Sequence, residues 1–162
     1  MSSVPIKKSE AIRELVACAN NPVYFIKNYV KITHVDRGLI PFHLYEYQDQ
    51  AIYNFLKNDR VIINKGRQLG FSTVVAAFVA WLIMFHENKT VLAMAINRDV
   101  AKNLIEKVKT ILDNLPSWMW LSDIKVNRVH MIGLTNGSWI KAIAKTKNVG
   151  RSESLSLLII DE

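Results

Sequence analysis

From residue 60 onward, short apolar runs alternate with helical segments, and this order restricts the possible fold more than any other feature of the chain. Residues 61–63 predict a short strand, which is followed by a glycine-containing loop and an apolar helix over about 72–86. Residues 91–96 are apolar almost throughout, as is typical of a central parallel strand covered on both faces. An amphipathic helix then extends to Pro116. Strands that alternate with helices in this way predict an α/β fold with a parallel, doubly wound sheet.

Upstream of this region the sequence predicts a helical lead-in. Ser9 is the predicted N-cap of a first helix and Asn21 that of a second, with Pro22 in the first turn, where its missing N–H costs nothing. We therefore divide the chain into a helical lead-in, residues 1–45, and an α/β domain, residues 46–162. The lead-in and the start of the domain contain a predicted helix over 9–19, a second helix from Pro22, an extended or loop-like stretch over 31–43 and a third, amphipathic helix over about 46–57.

The last third of the chain predicts a hairpin and one more strand. Residues 124–133 and 138–144 flank Asn136 and Gly137, a pair that favours the tight turn of a β-hairpin. Residues 155–160 are an apolar run that predicts another buried strand.

Composition narrows the class of partner. The net charge of +7 favours a polyanion, nucleic acid first and a membrane surface second, although an ordinary basic protein has the same balance. The single cysteine, Cys18, excludes an internal disulfide and a cysteine-rich zinc site, and it favours a reducing cytoplasm. The longest apolar run, residues 74–85, has 12 residues, whereas a membrane-spanning helix needs about 20. We therefore expect a buried helix there and no membrane partner.

The segment after the first predicted strand is similar to a phosphate-binding loop. Such a loop, G-x-x-x-x-G-K-[ST], follows a strand and opens a helix, whose unpaired N–H groups face the phosphates. When Gly70 is aligned with the second glycine, Ser72 takes the position of the magnesium-binding hydroxyl and Phe71 that of the lysine. The alternative is a helix that simply begins with a Gly-Ser cap. The predicted nucleotide-binding segment consists of Lys65, Gly66, Arg67, Gln68, Leu69, Gly70, Phe71, Ser72 and Thr73.

The lysine of this loop has an unusual position. Phosphoryl transfer needs a cation near the β- and γ-phosphates. Lys65 is the only lysine in the loop, at the place of the first glycine, and we predict that it reaches back to the phosphates. Arg67 is the second candidate for the same role.

The end of the chain supplies the acidic half of such a site. Asp161 follows an apolar strand, so it is predicted to lie beside the phosphate loop and to hold Mg²⁺ with Ser72 on the other side. Glu162 is then the predicted general base that orients the attacking water. The alternative is a strand that ends in a solvated Asp-Glu pair. The two halves together predict a P-loop NTPase fold of the RecA-like (ASCE) type, in which helices flank a parallel sheet.

Several segments of the chain resemble the ATPase part of the large terminase subunit, the genome-packaging motor of tailed bacteriophages. The most specific are the arginine-glutamine loop at residues 66–70 and the terminal Asp161-Glu162 pair, and the resemblance covers about residues 21–162. Phe71 departs from most members, although some resemble this chain in having an aromatic residue there and a lysine at the start of the loop. The supporting segments are Asn21-Pro22 with Phe25, Ile26 and Tyr29; residues 35–38; Pro41-Phe42; Tyr47-Gln48; residues 95–97 with the helix that follows; and residues 135–138.

The resemblance implies a function and further site residues. It implies an ATPase that uses ATP and Mg²⁺ to translocate double-stranded viral DNA into a procapsid, in the host cytoplasm, as a homo-oligomeric ring with the portal protein and the terminase small subunit as partners. Gln48 and Tyr47 resemble the adenine-binding glutamine motif, and Arg151 an arginine finger that acts on the neighbouring subunit's ATP. A solvated Gln48, and an Arg151 bound to solvent or to Glu153, are the alternatives.

The basic residues of the domain are candidates for contacts with DNA phosphates, which are independent of sequence and sensitive to salt. For most of them a solvated helix or strand face is the alternative. They are Arg98, Lys102, Lys107, Lys109, Lys125, Arg128, Lys141, Lys145 and Lys147.

Two other functions are compatible with the sequence. A superfamily 2 helicase-like ATPase shares the glutamine motif and the Asp-Glu ending, but it normally keeps the loop lysine. A non-catalytic fragment that binds DNA or partner subunits is the other. A terminase motor needs further strands, a coupling motif and a nuclease domain beyond the acidic strand. We therefore expect this chain to be a C-terminally incomplete portion of the motor, without the nuclease, that hydrolyses ATP poorly or not at all by itself.

Overall fold

A computed structural model of the chain describes residues 6–144 and 154–161, which form five α-helices and two β-sheets. A single 3₁₀ turn at Ser117–Met119 follows the last of these helices. The helices are α1 (Lys8–Asn20), α2 (Pro22–Tyr29), α3 (Glu46–Lys57), α4 (Phe71–Phe85) and α5 (Arg98–Asp113); the strands are β1 (Lys31–His34), β2 (Gly38–Pro41), β3 (Thr90–Ala95), β4 (Ile124–Arg128), β5 (Met131–Leu134), β6 (Trp139–Ala144) and β7 (Leu157–Asp161).

The larger sheet has five strands in the order β4-β5-β6-β3-β7. Strands β6, β3 and β7 are parallel, and Ala93 lies between Ala142 and Ile159 in the register. Strands β4, β5 and β6 are successive antiparallel neighbours. The predicted hairpin is confirmed at Asn136 and Gly137, although its first arm is divided into β4 and β5. The prediction of a parallel sheet is therefore confirmed for β6, β3 and β7 and wrong for β4 and β5, because tight turns can join only antiparallel neighbours.

Helices cover one face of this sheet in the described part of the chain. Val91, Ala93 and Ala95 belong to the hydrophobic core together with residues of all five helices. Leu158 and Ile160 belong to the opposite face, and they are 47% and 71% exposed. Successive side chains of a strand point to opposite faces. In β7 the inner set is accordingly half-buried and the other set exposed, although Leu92 of β3, on the same face as Leu158, is buried. The doubly wound arrangement, with helices on both faces, is therefore not found among the described residues.

Residues 61–63 do not form the predicted strand. They have no regular secondary structure and are mostly exposed, and Ile62 is 98% exposed. Within the described ranges no strand is hydrogen-bonded to this segment, and β7 has a ladder partner only in β3. A β-branched run does not become a strand without a neighbour, because the preference of such residues for strands reflects packing on a pleated, half-buried surface.

The lead-in helices pack on α4. Trp81 Nε1 donates a 2.8 Å hydrogen bond to the carbonyl of Cys18, which ties α4 to α1. The predicted cap of α2 is confirmed, since Asn21 Oδ1 accepts a 3.0 Å bond from the amide of Tyr24. Ser9 is not the N-cap of α1: that residue is Lys7, whose carbonyl already accepts bonds from two helical amides. The extended stretch at 31–43 contains the antiparallel pair β1 and β2.

The division of the chain into a lead-in, residues 1–45, and a domain, residues 46–162, stays a prediction.

Among the described residues, no helix is both long and apolar enough to cross a membrane.

Candidate functional site

The N-terminus of α4 is preceded by a loop in an unusual backbone conformation. Gly70, the N-cap residue, has φ +72°, and Gln68 has φ +62°, both in the left-handed region. The amides of Phe71 and Ser72 have no hydrogen-bond acceptor within the described part of the chain. Unpaired N–H groups and the positive end of the helix dipole make this terminus suited to an anion such as phosphate.

Helix α3 holds the loop in place through the carbonyl of Leu69. This oxygen accepts a 3.0 Å bond from Gln48 Nε2 and a 3.2 Å bond from the Tyr47 hydroxyl. Gln48 Oε1 in turn accepts a 3.0 Å bond from the amide of Tyr45. Gln48 is only 2% exposed, so both ends of its amide are used by backbone groups. It is not the solvated glutamine of the alternative interpretation, and its contact with adenine stays a prediction.

The aromatic residue at position 71, at the start of α4, packs against a tyrosine of α3. Phe71 is 9% exposed, and its ring centroid lies 5.8 Å from that of Tyr47. Tyr47 is itself stacked on Tyr45 at 5.5 Å. A lysine ammonium at position 71 would lose hydration among these rings. The local environment therefore accounts for an apolar residue where a phosphate-binding loop ordinarily has its lysine.

The structure brings together Ser72, in the first turn of α4, and Asp161, at the end of β7. Parallel pairing places Asp161 beside Ala95 at the carboxyl end of β3, and Asp161 Oδ2 accepts a 3.5 Å bond from Ser72 Oγ. Both side chains are half-buried. A hydroxyl and a carboxylate are ligands that Mg²⁺ accepts, and this ion commonly retains several waters. The pair therefore fits Mg²⁺, although the described residues contain no cluster of three His, Cys, Asp or Glu side chains for a metal ion.

Lys107 lies at the same helix terminus. Its Nζ donates a 3.3 Å bond to Thr73 Oγ1 in the first turn of α4. Desolvation by surrounding protein lowers the pKa of Lys107, and the negative charge of Asp161 opposes this effect. From the sequence, Lys107 was a candidate DNA contact, with a solvated helix face as the alternative. Its approach to α4 depends on how α4 and α5 pack, for which the sequence contains no local signal.

A cavity of about 360 Å³ adjoins these side chains. It lies between the first turn of α4, helix α5, strand β1 and the end of β7. A larger cavity, of about 780 Å³, lies between α2 and α3 and contains none of the predicted site residues. The lining of the first cavity is Lys31, Ile32, Thr33, Ser72, Thr73, Val100, Asn103, Leu104, Glu106, Lys107, Thr110, Ile111 and Asp161.

The remaining predicted site residues are exposed or lie outside the described ranges. Lys65, Gly66 and Arg67 are exposed, and neither cation forms an ion pair with a described residue. Arg151 and Glu162 lie outside the described residues, so the arginine finger and the general base stay predictions.

The candidate DNA contacts are distributed over α5 and the sheet. Lys102 is exposed and pairs with Glu106 at 3.3 Å. Contact with DNA stays a prediction for every member of the set. Lys107, Lys125 and Arg128 are exposed, Lys109 and Lys141 are half-buried, and Lys145, Lys147 and the side chain of Arg98 are outside the described part.

These elements define a class of fold: a mixed α/β domain whose five-stranded sheet carries helices and whose helix α4 begins beside the acidic end of β7. No family model matches the sequence. Among solved structures, the chain is similar to the crystal structure of the HK97 bacteriophage large terminase, with a TM-score of 0.69 and 20% sequence identity over 89% of this chain. The match spans 31% of the terminase chain. The terminase resemblance inferred from the sequence is therefore confirmed at the level of the fold.

Proposed function

We propose that this chain is the ATPase portion of a large terminase, a motor that uses ATP hydrolysis to translocate double-stranded viral DNA into a procapsid. The observation that carries the proposal is the meeting of Ser72 and Asp161 at the N-terminus of α4. The first amides of that terminus have no acceptor among the described residues, and the terminus lies in a fold similar to that of the HK97 large terminase.

Each residue of the site has a proposed role. The amides at the start of α4 bind the phosphates, and Lys65 or Arg67 supplies positive charge from the loop. Ser72 and Asp161 hold Mg²⁺, which when bound neutralises charge that develops on the phosphates. Gln48 and Tyr47 position the loop through Leu69 and contact the adenine. Beyond the described residues, Glu162 orients water, and Arg151 acts on the ATP of a neighbouring subunit.

The proposed partners follow from the same function. They are double-stranded viral DNA, the portal protein, the terminase small subunit and further copies of the chain in a ring on the procapsid, in the host cytoplasm. The net charge of +7 supports the first of these. DNA binding through phosphates should weaken steeply with salt and should not depend on sequence.

The proposal is tested by measuring MgATP binding to the chain by isothermal titration calorimetry. The wild-type chain should bind ATP more tightly with Mg²⁺ than without it. Lys65→Ala should weaken binding about tenfold, because a charge-assisted hydrogen bond to phosphate is lost. Lys57→Ala is the matched control, since Lys57 is an exposed lysine at the end of α3, outside the loop.

Absence of MgATP binding by the wild-type chain would contradict the proposal. Wild-type affinity in Lys65→Ala together with weakened binding in Arg67→Ala would transfer the phosphate role to Arg67. ATP turnover with and without double-stranded DNA then separates a motor from a non-catalytic binding fragment.

A further inference from the structure

Lys107 delivers a positive charge to the start of α4 from a different element than the loop. The loop cations Lys65 and Arg67 are exposed and form no ion pair with a described residue. Lys107 is on α5, and its ammonium already lies 3.3 Å from Thr73 Oγ1. Thr73 follows directly after Ser72, the residue whose hydroxyl reaches Asp161. Lys107 is therefore joined to the side chains that define the proposed phosphate and magnesium site.

The ammonium of Lys107 has unused hydrogen-bonding capacity. An ammonium has three donors, and the Thr73 hydroxyl, which is neutral, takes one of them. No carboxylate within the described ranges forms a salt bridge with Lys107. The cavity of about 360 Å³ beside it is also lined by Ser72, Thr73 and Asp161. A partly free ammonium beside this cavity is suited to bind an anion there.

The positive charge of Lys107 matters because position 71, where a phosphate-binding loop ordinarily has its lysine, is occupied by a phenylalanine. Phe71 packs against Tyr47 and cannot supply the cation that a phosphate-binding loop ordinarily places at the start of its helix. We infer that Lys107 is a phosphate-binding residue of this site and contacts the phosphates of a nucleoside triphosphate at the N-terminus of α4. The inference rests on the proposed function and extends it, since it assigns a role at the phosphates to a residue on a different helix.

The test compares MgATP affinity among variants of the full chain by isothermal titration calorimetry. Lys107→Ala should bind MgATP about tenfold more weakly than wild type, whereas Lys107→Arg should retain most of the affinity because it keeps the charge. Lys57→Ala is the control: it removes the same charge from an exposed position at the end of α3, outside both the site and the candidate DNA contacts. Inorganic triphosphate should show the same loss in Lys107→Ala, because the contact is made with phosphate and not with the base.

The outcomes separate this inference from the proposed function. If wild type and Lys107→Ala bind MgATP and inorganic triphosphate equally, Lys107 is not a phosphate ligand, while the proposed function stands. If Lys107→Ala lowers the melting temperature without ligand and Lys107→Arg does not restore affinity, the role is structural and the inference is overturned. Failure of the wild-type chain to bind MgATP would contradict both the inference about Lys107 and the proposed function. A loss confined to Lys107→Ala, with an unchanged melting temperature, supports the inference.

Discussion

The shape of the loop before α4 requires a glycine at position 70. Gly70 has φ +72°, and a Cβ built on it would lie 2.9 Å from Gln48 Nε2. Gln48 is nearly fully buried and is bonded at both ends of its amide, so it has little freedom to move away. The glycine is therefore required twice: by the left-handed backbone and by the close approach of α3.

The two requirements can be separated by comparing two glycines. Gly38 has φ +66°, but a Cβ there would meet no atom within 4 Å. Gly38→Ala should therefore cost only the backbone strain, about 1 kcal/mol. Gly70→Ala should cost roughly 1–2 kcal/mol more, because it also disturbs the buried hydrogen bonds of Gln48. Denaturant unfolding of both variants measures the difference, and equal losses would show that the contact with Gln48 has no energetic weight.

The elements of the chain begin where hydrogen-bonding groups allow them to begin. Asn21 has the side-chain bond of an N-cap, whereas Ser9 lies inside the first turn of α1. Helix α3 shows the same dependence on packing. Its buried positions are Gln48, Ala51 and Ile52, whose spacing of three and four defines one helix face. A polar glutamine is not expected on a buried helix face. Its burial is explained by the backbone groups of Tyr45 and Leu69, which bond both ends of its amide.

The N-cap of α2 should contribute measurably to the stability of the protein. Asn21→Ala should lower the free energy of unfolding by about 1 kcal/mol, since the amide of Tyr24 loses its acceptor. Ser9→Ala is the control and should change it by less than about 0.5 kcal/mol. Thermal and urea unfolding check both values. A loss from Ser9→Ala as large as that from Asn21→Ala would mean that α1 is capped by Ser9 in solution.

The edge strand β7 leaves part of one face of the main sheet exposed within the described residues. Leu158 and Ile160 lie on that face in β7, which has a ladder partner only in β3. An exposed apolar strand at a sheet edge is a template for pairing with another chain. Self-association of the chain at high concentration is the expected consequence.

This association can be tested with two neighbouring isoleucines. Ile160→Lys should reduce association with little change in melting temperature, because Ile160 is 71% exposed. Ile159→Lys is the comparison, and it should lower the melting temperature strongly, since Ile159 packs against the core. Sedimentation velocity over a range of concentrations, with thermal unfolding in parallel, gives both readouts. An unchanged oligomer distribution in Ile160→Lys would rule out this strand as the contact.

Much of the fold follows from local signals in the chain. The Asn21 cap with Pro22, the amphipathic α5, the tight turn at Asn136 and Gly137 and the apolar run that becomes β7 all act over a few residues, so the sequence alone predicts them. The similarity to a terminase fold was visible in the same way, through the loop and the acidic strand end.

Other features depended on contacts between distant parts of the chain. The mixed sheet, the unpaired segment at 61–63, the burial of Gln48 and the approach of Lys107 to Thr73 were decided by which elements lie side by side. The physical reason is that caps and turns are satisfied within a few residues, whereas a strand needs a neighbouring edge and a side-chain contact needs two packed elements. Those conditions exist only once the whole chain has folded.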